Sequence, residues 1–145
     1  MRAEVTPFPE NAANRKPKAE NSPLPGLYIH IPFCRTKCPY CDFYSVTSLS
    51  LIPAWLEAVQ QEVLLYQDTF PPFDSLYLGG GTPSLLPDGD LATLMDSLRF
   101  HFRFAPDPEI TLEANPDDLS PARLARLQDL GVNRLSLGVQ SFVEP

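Results

Sequence analysis

The feature that most constrains the fold is a regular alternation of strand-like and helix-like segments that begins after Gly26. Four segments favour strands by their alternating or β-branched residues: 27–31, 75–79, 109–115 and 134–140. The three segments between them carry apolar residues at helical spacing, and the helices are expected to begin near Pro53, Leu91 and Pro121. Ser120 is expected to cap the third helix and Gly131 to end it. Strands that alternate with helices pair in parallel through right-handed crossovers. The sequence therefore predicts an α/β fold with about four parallel strands and three helices.

In the third and fourth strands, alternate positions are apolar on one side and polar or small on the other. The apolar positions are Ile110, Leu112, Leu135, Leu137 and Val139, which we expect to face the helices. The other positions are Thr111, Glu113, Asn115, Ser136, Gly138 and Gln140. A doubly wound sheet buries both faces and tends to be apolar throughout, whereas a barrel wall that lines a ligand cavity can be polar. This pattern predicts part of a barrel with a polar inner wall.

The number of strand–helix units is too small to close such a barrel. We therefore expect residues 26–145 to form the N-terminal part of a core domain that continues in a longer protein. The alternative is a small open sheet that is complete, but its last strand would then be left uncovered, which favours aggregation. Residues 1–25, rich in proline and polar residues, are expected to form a disordered tail.

Charge and hydropathy exclude several kinds of partner. The chain has 11 Lys and Arg against 18 Asp and Glu, and its net charge of -7 argues against nucleic acids and anionic membranes. No apolar run reaches the roughly 18 residues of a membrane span, and no apolar signal-peptide core follows the N-terminus. These features predict a cytoplasmic protein, in which thiols stay reduced.

All 3 cysteines of the chain lie within one short segment, at Cys34, Cys38 and Cys41. A structural zinc site needs four ligands, and neither His30 on a strand nor His101 in a distant helix completes the set cleanly. Three thiolates on one loop instead fit a [4Fe–4S] cluster whose fourth iron is open to a ligand that is not protein. The alternative, three buried free cysteines, fits poorly with so tight a cluster beside charged residues.

Four motifs in order resemble one enzyme superfamily. The spacing in "CRTKCPYC" is similar to the signature of the radical S-adenosylmethionine (SAM) superfamily, in which SAM chelates the open iron. The wider pattern resembles the oxygen-independent coproporphyrinogen III oxidase group of that superfamily over residues 26–145, through "LYIHIPFCRTKCPYCDFYS", "LGGGTPSLL", "LEANPDDL" and "LSLGVQSF". The resemblance implies a partial barrel that binds a [4Fe–4S] cluster and SAM, and that receives one electron from a donor protein.

The resemblance also implies roles for individual residues. The cluster ligands would be Cys34, Cys38 and Cys41. The SAM contacts would be Tyr28, Tyr40, Gly80, Gly81, Thr82, Glu113 and Gln140. The glycine run lets backbone groups approach a ligand, although a tight turn explains it equally well by itself. An inward Glu113 is by itself more often a structural carboxylate. His30 is open between a role near the substrate and a hydrogen bond within the barrel. No catalytic protein residue is assigned, since the superfamily's 5′-deoxyadenosyl radical abstracts hydrogen.

The residue at position 43 separates two branches of this group. The oxidases carry a further cysteine two residues beyond the third cluster ligand, where this chain has Phe43. The Asp-Phe version resembles the heme chaperone branch, which binds heme and transfers it to acceptor proteins, so that membrane contact would come only through an acceptor. Two alternatives stay open: an oxidase that acts on coproporphyrinogen III, and a cluster-binding domain without radical chemistry. Reductive cleavage of SAM by the full-length protein would exclude the latter.

Overall fold

A computed structural model describes residues 24–141 of the chain, so that most of the predicted disordered segment 1–25 lies outside the described residues. Four strands and three α-helices alternate in the order that the sequence predicts. Their bounds are β1 (Gly26–Ile31), α1 (Ile52–Tyr66), β2 (Phe73–Gly80), α2 (Asp88–His101), β3 (Phe104–Ala114), α3 (Pro121–Asp129) and β4 (Arg134–Leu137). All strand pairs are parallel, and the strands lie in the order β1-β2-β3-β4. The predicted α/β class is confirmed.

One face of the sheet is apolar and packs against helices. Its side chains join those of α1 and α2 in one core, which includes Ile31, Leu56, Val63, Leu76, Leu78, Leu91, Leu94, Met95, Leu98 and Leu112. The predicted stripes of α1 and α2 account for most of these residues. Phe102 lies just beyond the end of α2 and is still buried, whereas Leu124 on α3 is exposed and Leu127 carries the burial of that helix.

The opposite face is polar, as predicted from alternation. Register partners on parallel strands point to the same side of the sheet. Tyr28, Tyr77, Thr111 and Arg134 form one row across the four strands, and His30 and Gly79 lie beside Glu113 and Ser136 in the next row. Among these residues Thr111 is buried, whereas Tyr28 on β1 is exposed.

The predicted extent of the fourth strand to Gln140 is wrong. Gly138 still donates a backbone hydrogen bond to Ala114 at 3.0 Å, but Val139 donates to Leu137 at 3.0 Å, which is a three-residue turn. This turn takes the backbone out of the ladder after Leu137. Leu137 and Val139 are 48% and 40% exposed, because no helix within residues 24–141 covers this end of β4.

The helix ends follow local rules of capping. Ser120 accepts a hydrogen bond from the Arg123 amide at 3.1 Å and caps α3, as the sequence predicts. Gly131, with φ of 83°, adopts the left-handed conformation just after this helix, which confirms it as the stop. Among residues 24–141, no helix is both long and apolar enough to cross a membrane.

Candidate functional site

The candidate site lies at the carboxyl ends of β1, β2 and β3, where parallel sheets place their ligands. The cysteine loop follows β1, and its neck is closed by hydrogen bonds from Cys34 N to Val46 O (3.0 Å) and from Val46 N to Pro32 O (2.7 Å). The turn after β2 packs against this neck, since Thr82 N donates to Phe33 O at 2.7 Å. The two loops therefore form one continuous surface at the edge of the sheet.

The three cysteines are free thiols that differ in solvent exposure. Cys34 and Cys41 are half-buried, and Cys38 is exposed. The Thr82 hydroxyl donates to Cys34 Sγ at 3.8 Å, and the Cys41 amide donates to Cys38 O at 3.1 Å. A hydrogen bond with Cys38 raises the pKa of the exposed Tyr40 phenol. The loop thus places Thr82 from the glycine turn beside the first cysteine, and Tyr40 beside the second.

The cysteine side chains fit an iron–sulfur cluster by the chemistry of their donor atoms. Three thiols within one loop are soft sulfur ligands of the kind that iron–sulfur clusters take. Within residues 24–141, no three His, Cys, Asp or Glu side chains are arranged around a single metal position. The assignment of Cys34, Cys38 and Cys41 as cluster ligands therefore stays a prediction.

The glycine run is required by close packing against β1 and the cysteine loop. Gly80 has φ of 116°, and a Cβ at this position would lie 2.6 Å from the His30 ring. A Cβ on Gly81 would lie 2.6 Å from the backbone oxygen of Phe33. A side chain at Gly80 would therefore press on His30 of β1, and one at Gly81 would push the turn away from the start of the cysteine loop. The turn is thus structurally necessary, whether or not its backbone also contacts a ligand.

Glu113 links the end of β3 to the glycine turn. Its Oε2 accepts a hydrogen bond from Gly80 N at 2.9 Å, and its Oε1 accepts one from the Tyr77 hydroxyl at 2.7 Å. The hydrogen bond to Glu113 raises the pKa of Tyr77. Tyr77 was missed by sequence analysis, although it shares the parity of Gly79 on β2. Alternation on β2, applied as it was on β3, would have placed Tyr77 on the polar face.

His30 joins β1 to the cysteine loop. Its Nε2 lies 2.9 Å from the Tyr44 carbonyl oxygen, which can only accept, so Nε2 carries the hydrogen and donates. In the neutral ring, Nδ1 then accepts from the Tyr28 hydroxyl at 3.0 Å. Tyr28 also stacks on Tyr77 with ring centroids 6.0 Å apart. Burial, with the nearby Glu113 charge as a smaller cause, raises the pKa of Tyr28. Of the two roles open for His30, the structure shows the hydrogen bond within the sheet and loop.

The predicted SAM contacts are only partly brought together. Tyr28, Gly80 and Glu113 are linked through His30 and Tyr77, and Thr82 touches Cys34, with Gly81 beside it in the turn. Gln140 lies beyond the end of β4, is exposed, and donates to Gly138 O at 3.4 Å. Within residues 24–141, the side-chain hydrogen bonds of Gln140 and of Glu113 do not join the two residues. Its role toward SAM stays a prediction, as does that of Tyr40.

Comparison with known proteins agrees with this arrangement. A family model described as the radical SAM superfamily matches residues 28–144. The heme chaperone HemW of Mycobacterium tuberculosis (strain H37Rv) is 43% identical over 130 residues, which are 83% of this chain and 33% of that protein. The heme chaperone HemW of Escherichia coli (strain K12) is 43% identical over 124 residues, 81% of this chain and 32% of the relative. The chain thus spans about a third of the length of these relatives.

A solved structure shares the fold as well as part of the sequence. It is that of the coproporphyrinogen III oxidase HemN from Escherichia coli, described as a radical SAM enzyme, with a TM-score of 0.76 and 35% identity. The match covers 92% of this chain and 31% of that one. The family match extends from β1 past the end of β4 and includes the cysteine loop and the glycine turn. The chain therefore belongs to the radical SAM superfamily.

Proposed function

We propose that this chain is the cluster-binding and SAM-binding part of a heme chaperone, a protein that binds heme and transfers it to acceptor proteins. The observation that carries the proposal is the 43% identity with the heme chaperones of Mycobacterium tuberculosis and Escherichia coli. The solved coproporphyrinogen III oxidase is 35% identical. Heme and a heme-acceptor protein would be the partners, with a one-electron donor, in the cytoplasm.

The residue at position 43 also supports the heme chaperone branch. Phe43 stands two residues beyond Cys41, where the resembling oxidases carry a further cysteine, and its side chain is 64% exposed. The sequence holds 3 cysteines in all, so no fourth thiol of this chain is available for a cluster. An open position on the cluster suits a ligand such as SAM.

The residues of this chain divide the binding task between two loops. Cys34, Cys38 and Cys41 would hold the cluster. The SAM contacts would come from Tyr28, Tyr40, Gly80, Gly81, Thr82, Glu113 and Gln140. When bound, a reduced cluster supplies the electron for reductive cleavage of the carbon–sulfur bond of SAM.

The contacts of Glu113 suit it to a polar ligand. Each carboxylate oxygen accepts one hydrogen bond within the protein, from Tyr77 or Gly80, and retains acceptor capacity. Such a carboxylate, held in a fixed orientation, can accept from a hydroxyl or ammonium group of a ligand. The protein therefore offers a preformed acceptor beside the glycine turn.

The proposal is tested with the protein at its full natural length, reconstituted anaerobically with iron and sulfide. We expect heme to bind stoichiometrically in an absorbance titration and to move to a heme-free acceptor protein, without turnover of coproporphyrinogen III. Decarboxylation of coproporphyrinogen III would instead establish the oxidase, the second candidate, which the TM-score of 0.76 with the solved oxidase favours. Formation of 5′-deoxyadenosine from SAM would show that radical chemistry takes place.

The cluster assignment has its own test. Replacement of the exposed Cys38 by alanine removes one of the three thiols, so the broad iron–sulfur absorbance should be lost after reconstitution. Thr36→Ala is a matched control, because Thr36 is exposed on the same loop and carries no thiol. A full cluster in the Cys38→Ala protein would contradict the ligand assignment.

A further inference from the structure

We propose that Arg35, Asp118 and Ser84 form a clasp that positions the cysteine loop for cluster binding, an inference that rests on the proposed cluster site. Arg35 Nη2 donates to Asp118 Oδ1 at 3.0 Å, and the Ser84 hydroxyl donates to Asp118 Oδ2 at 2.7 Å. Ser84 Oγ also accepts from the Asn115 amide at 3.3 Å. One carboxylate thus connects the three loops that follow β1, β2 and β3.

The cysteine loop has few other restraints between its first and third cysteines. Residues 35–40 are all exposed, and Cys34 and Val46 close the loop at its neck. Between Cys34 and Cys41, only Arg35 forms a side-chain hydrogen bond or ion pair with another loop, within residues 24–141. Arg35 immediately follows Cys34, so the clasp restrains the segment that leads from the first cysteine to the second.

The two partners of the Arg35–Asp118 ion pair differ in burial. The Asp118 side chain is 8% exposed, whereas that of Arg35 is 69% exposed. The carboxylate is fixed in the body of the protein by Ser84, and the arginine reaches it from a solvent-exposed loop. Loss of Arg35 would leave a nearly buried carboxylate with its serine partner alone, which is unfavourable. The arrangement therefore favours the loop conformation that delivers a cation to Asp118.

The segment behind the clasp is itself held by side-chain contacts. Arg123 on α3 donates to the carbonyl oxygens of Leu86 at 2.8 Å and of Ser84 at 3.4 Å. It also forms an ion pair with Asp88 at the start of α2. Ser84 is buried, and its carbonyl oxygen accepts from Arg123 while its hydroxyl donates to Asp118. The clasp thus connects the cysteine loop to a segment that Arg123 of α3 also contacts.

Because the clasp holds the cysteine loop near its binding conformation, its removal should weaken the retention of iron. A loop that is already held near its binding conformation loses less conformational entropy when it binds a cluster. In the Arg35→Met protein the loop samples more conformations, so iron should be released faster from the reconstituted protein. We expect release to an iron chelator to accelerate about fivefold, a modest effect because one partner is solvent-exposed. The thiol of Cys34 should also react faster with iodoacetamide in the metal-free protein.

The experiment uses the protein at full natural length and a set of matched variants. Lys37→Met makes the same charge change on the same loop, but Lys37 forms no ion pair within residues 24–141. Arg35→Lys retains a cation that can reach Asp118. We expect both proteins to release iron within about twofold of the wild-type rate. In an Asp118→Asn background, Arg35→Met should add little, because the ion pair is already lost.

The outcomes separate this inference from the proposed function. Equal iron release by the Arg35→Met and Lys37→Met proteins would overturn the clasp, as would an unchanged rate of Cys34 alkylation in the metal-free Arg35→Met protein. Failure of the wild-type protein to take up iron and sulfide would overturn the cluster site instead. In that case, the alkylation rates of the metal-free proteins would still test the clasp. Thermal unfolding confirms that each variant is folded.

Discussion

A single carboxylate, that of Glu113, joins β2, β3 and the glycine turn at the candidate site. Tyr77 holds one oxygen and Gly80 N the other, at 2.7 and 2.9 Å. Neither residue is near Glu113 in the chain, yet both are placed by the register of β2 against β3. At this scale the site depends on hydrogen bonds to individual atoms, so single substitutions should have distinct effects.

Gly80 and Gly89 make a matched pair of glycines. In Gly80→Ala, the new Cβ would meet the His30 ring at 2.6 Å in a backbone with φ of 116°, so the unfolding free energy should fall by more than about 1 kcal/mol. In Gly89→Ala, no atom lies within 4 Å of the new Cβ, and α2 should be stabilised by about 0.5 kcal/mol. Urea denaturation measures both changes. Equal effects of the two substitutions would contradict the packing described for the glycine turn.

Tyr77→Phe removes one hydrogen bond from Glu113 and should reduce the unfolding free energy by about 1 kcal/mol. Tyr66→Phe is the control, since Tyr66 is exposed and its ring lies beside that of Phe70, away from Glu113. Glu113 raises the pKa of Tyr77 above 10.0, the ordinary value for tyrosine. The contribution of Tyr77 to stability is therefore complete below pH 10.0 and is lost as pH rises through the folded-state pKa.

The alkaline part of this prediction is measured by the ultraviolet absorbance of tyrosinate. In the wild-type protein, three tyrosines, Tyr28, Tyr40 and Tyr77, should ionise at a pH above that of an ordinary tyrosine, and one of these late steps should be missing in Tyr77→Phe. If the two titration curves coincide after correction for one tyrosine of ordinary pKa, the Tyr77–Glu113 hydrogen bond does not form in solution.

At the scale of secondary structure, local sequence signals predict the order and type of the helices and strands more accurately than the ends of the strands. Pro53, Ser120 and Gly131 act through their own local backbone geometry, so the start of α1 and both ends of α3 were predicted closely. β3 begins at Phe104, well before the predicted start at residue 109, because Phe104 pairs with Phe73 across an irregular register. A strand end that depends on such a partner leaves no signal in its own segment.

The cap of α3 can be tested by substitution. Ser120→Ala removes the acceptor of the Arg123 amide at 3.1 Å and should lower the unfolding free energy by about 1 kcal/mol. Ser120→Asp keeps an acceptor at the same position and should retain most of the stability. Urea denaturation compares the three proteins. A Ser120→Asp protein as unstable as Ser120→Ala would show that the cap hydrogen bond is not what stabilises this end of α3.

At the scale of the whole molecule, the sheet has one covered face and an open last strand. β4 pairs with β3 alone among residues 24–141, and Leu137 at its end is 48% exposed. An unpaired strand edge with exposed apolar side chains favours association with other chains. A chain of these 145 residues should therefore self-associate as its concentration rises.

Leu137→Lys should reduce this association, because a charge at an open strand edge disfavours pairing with another chain. Phe100→Lys is the control, since Phe100 is 84% exposed on α2 and lies away from the sheet edge. Light scattering over a concentration series measures the effect. An equal reduction by both substitutions would point to general solubility instead of the edge of β4.

What the sequence by itself determined is everything that acts over a few residues. Alternation and helical spacing determined the order of strands and helices, and the cysteine spacing with the glycine run pointed to the superfamily that the comparisons confirm. These signals are local because side-chain periodicity, capping and positive φ depend on a residue and its near neighbours. The distinction between the oxidase and heme chaperone branches then rested on Phe43, two residues beyond Cys41.

Only the tertiary structure decided which distant side chains meet. Arg35 and Asp118 lie 83 residues apart in the chain, and Tyr77 and Glu113 lie 36 apart. The end of β4 at Leu137 was likewise set by a turn in the folded backbone. Such contacts depend on strand register and on how three loops pack at one edge of the sheet. No periodicity within a single segment encodes that packing, because each partner satisfies its local pattern without the other.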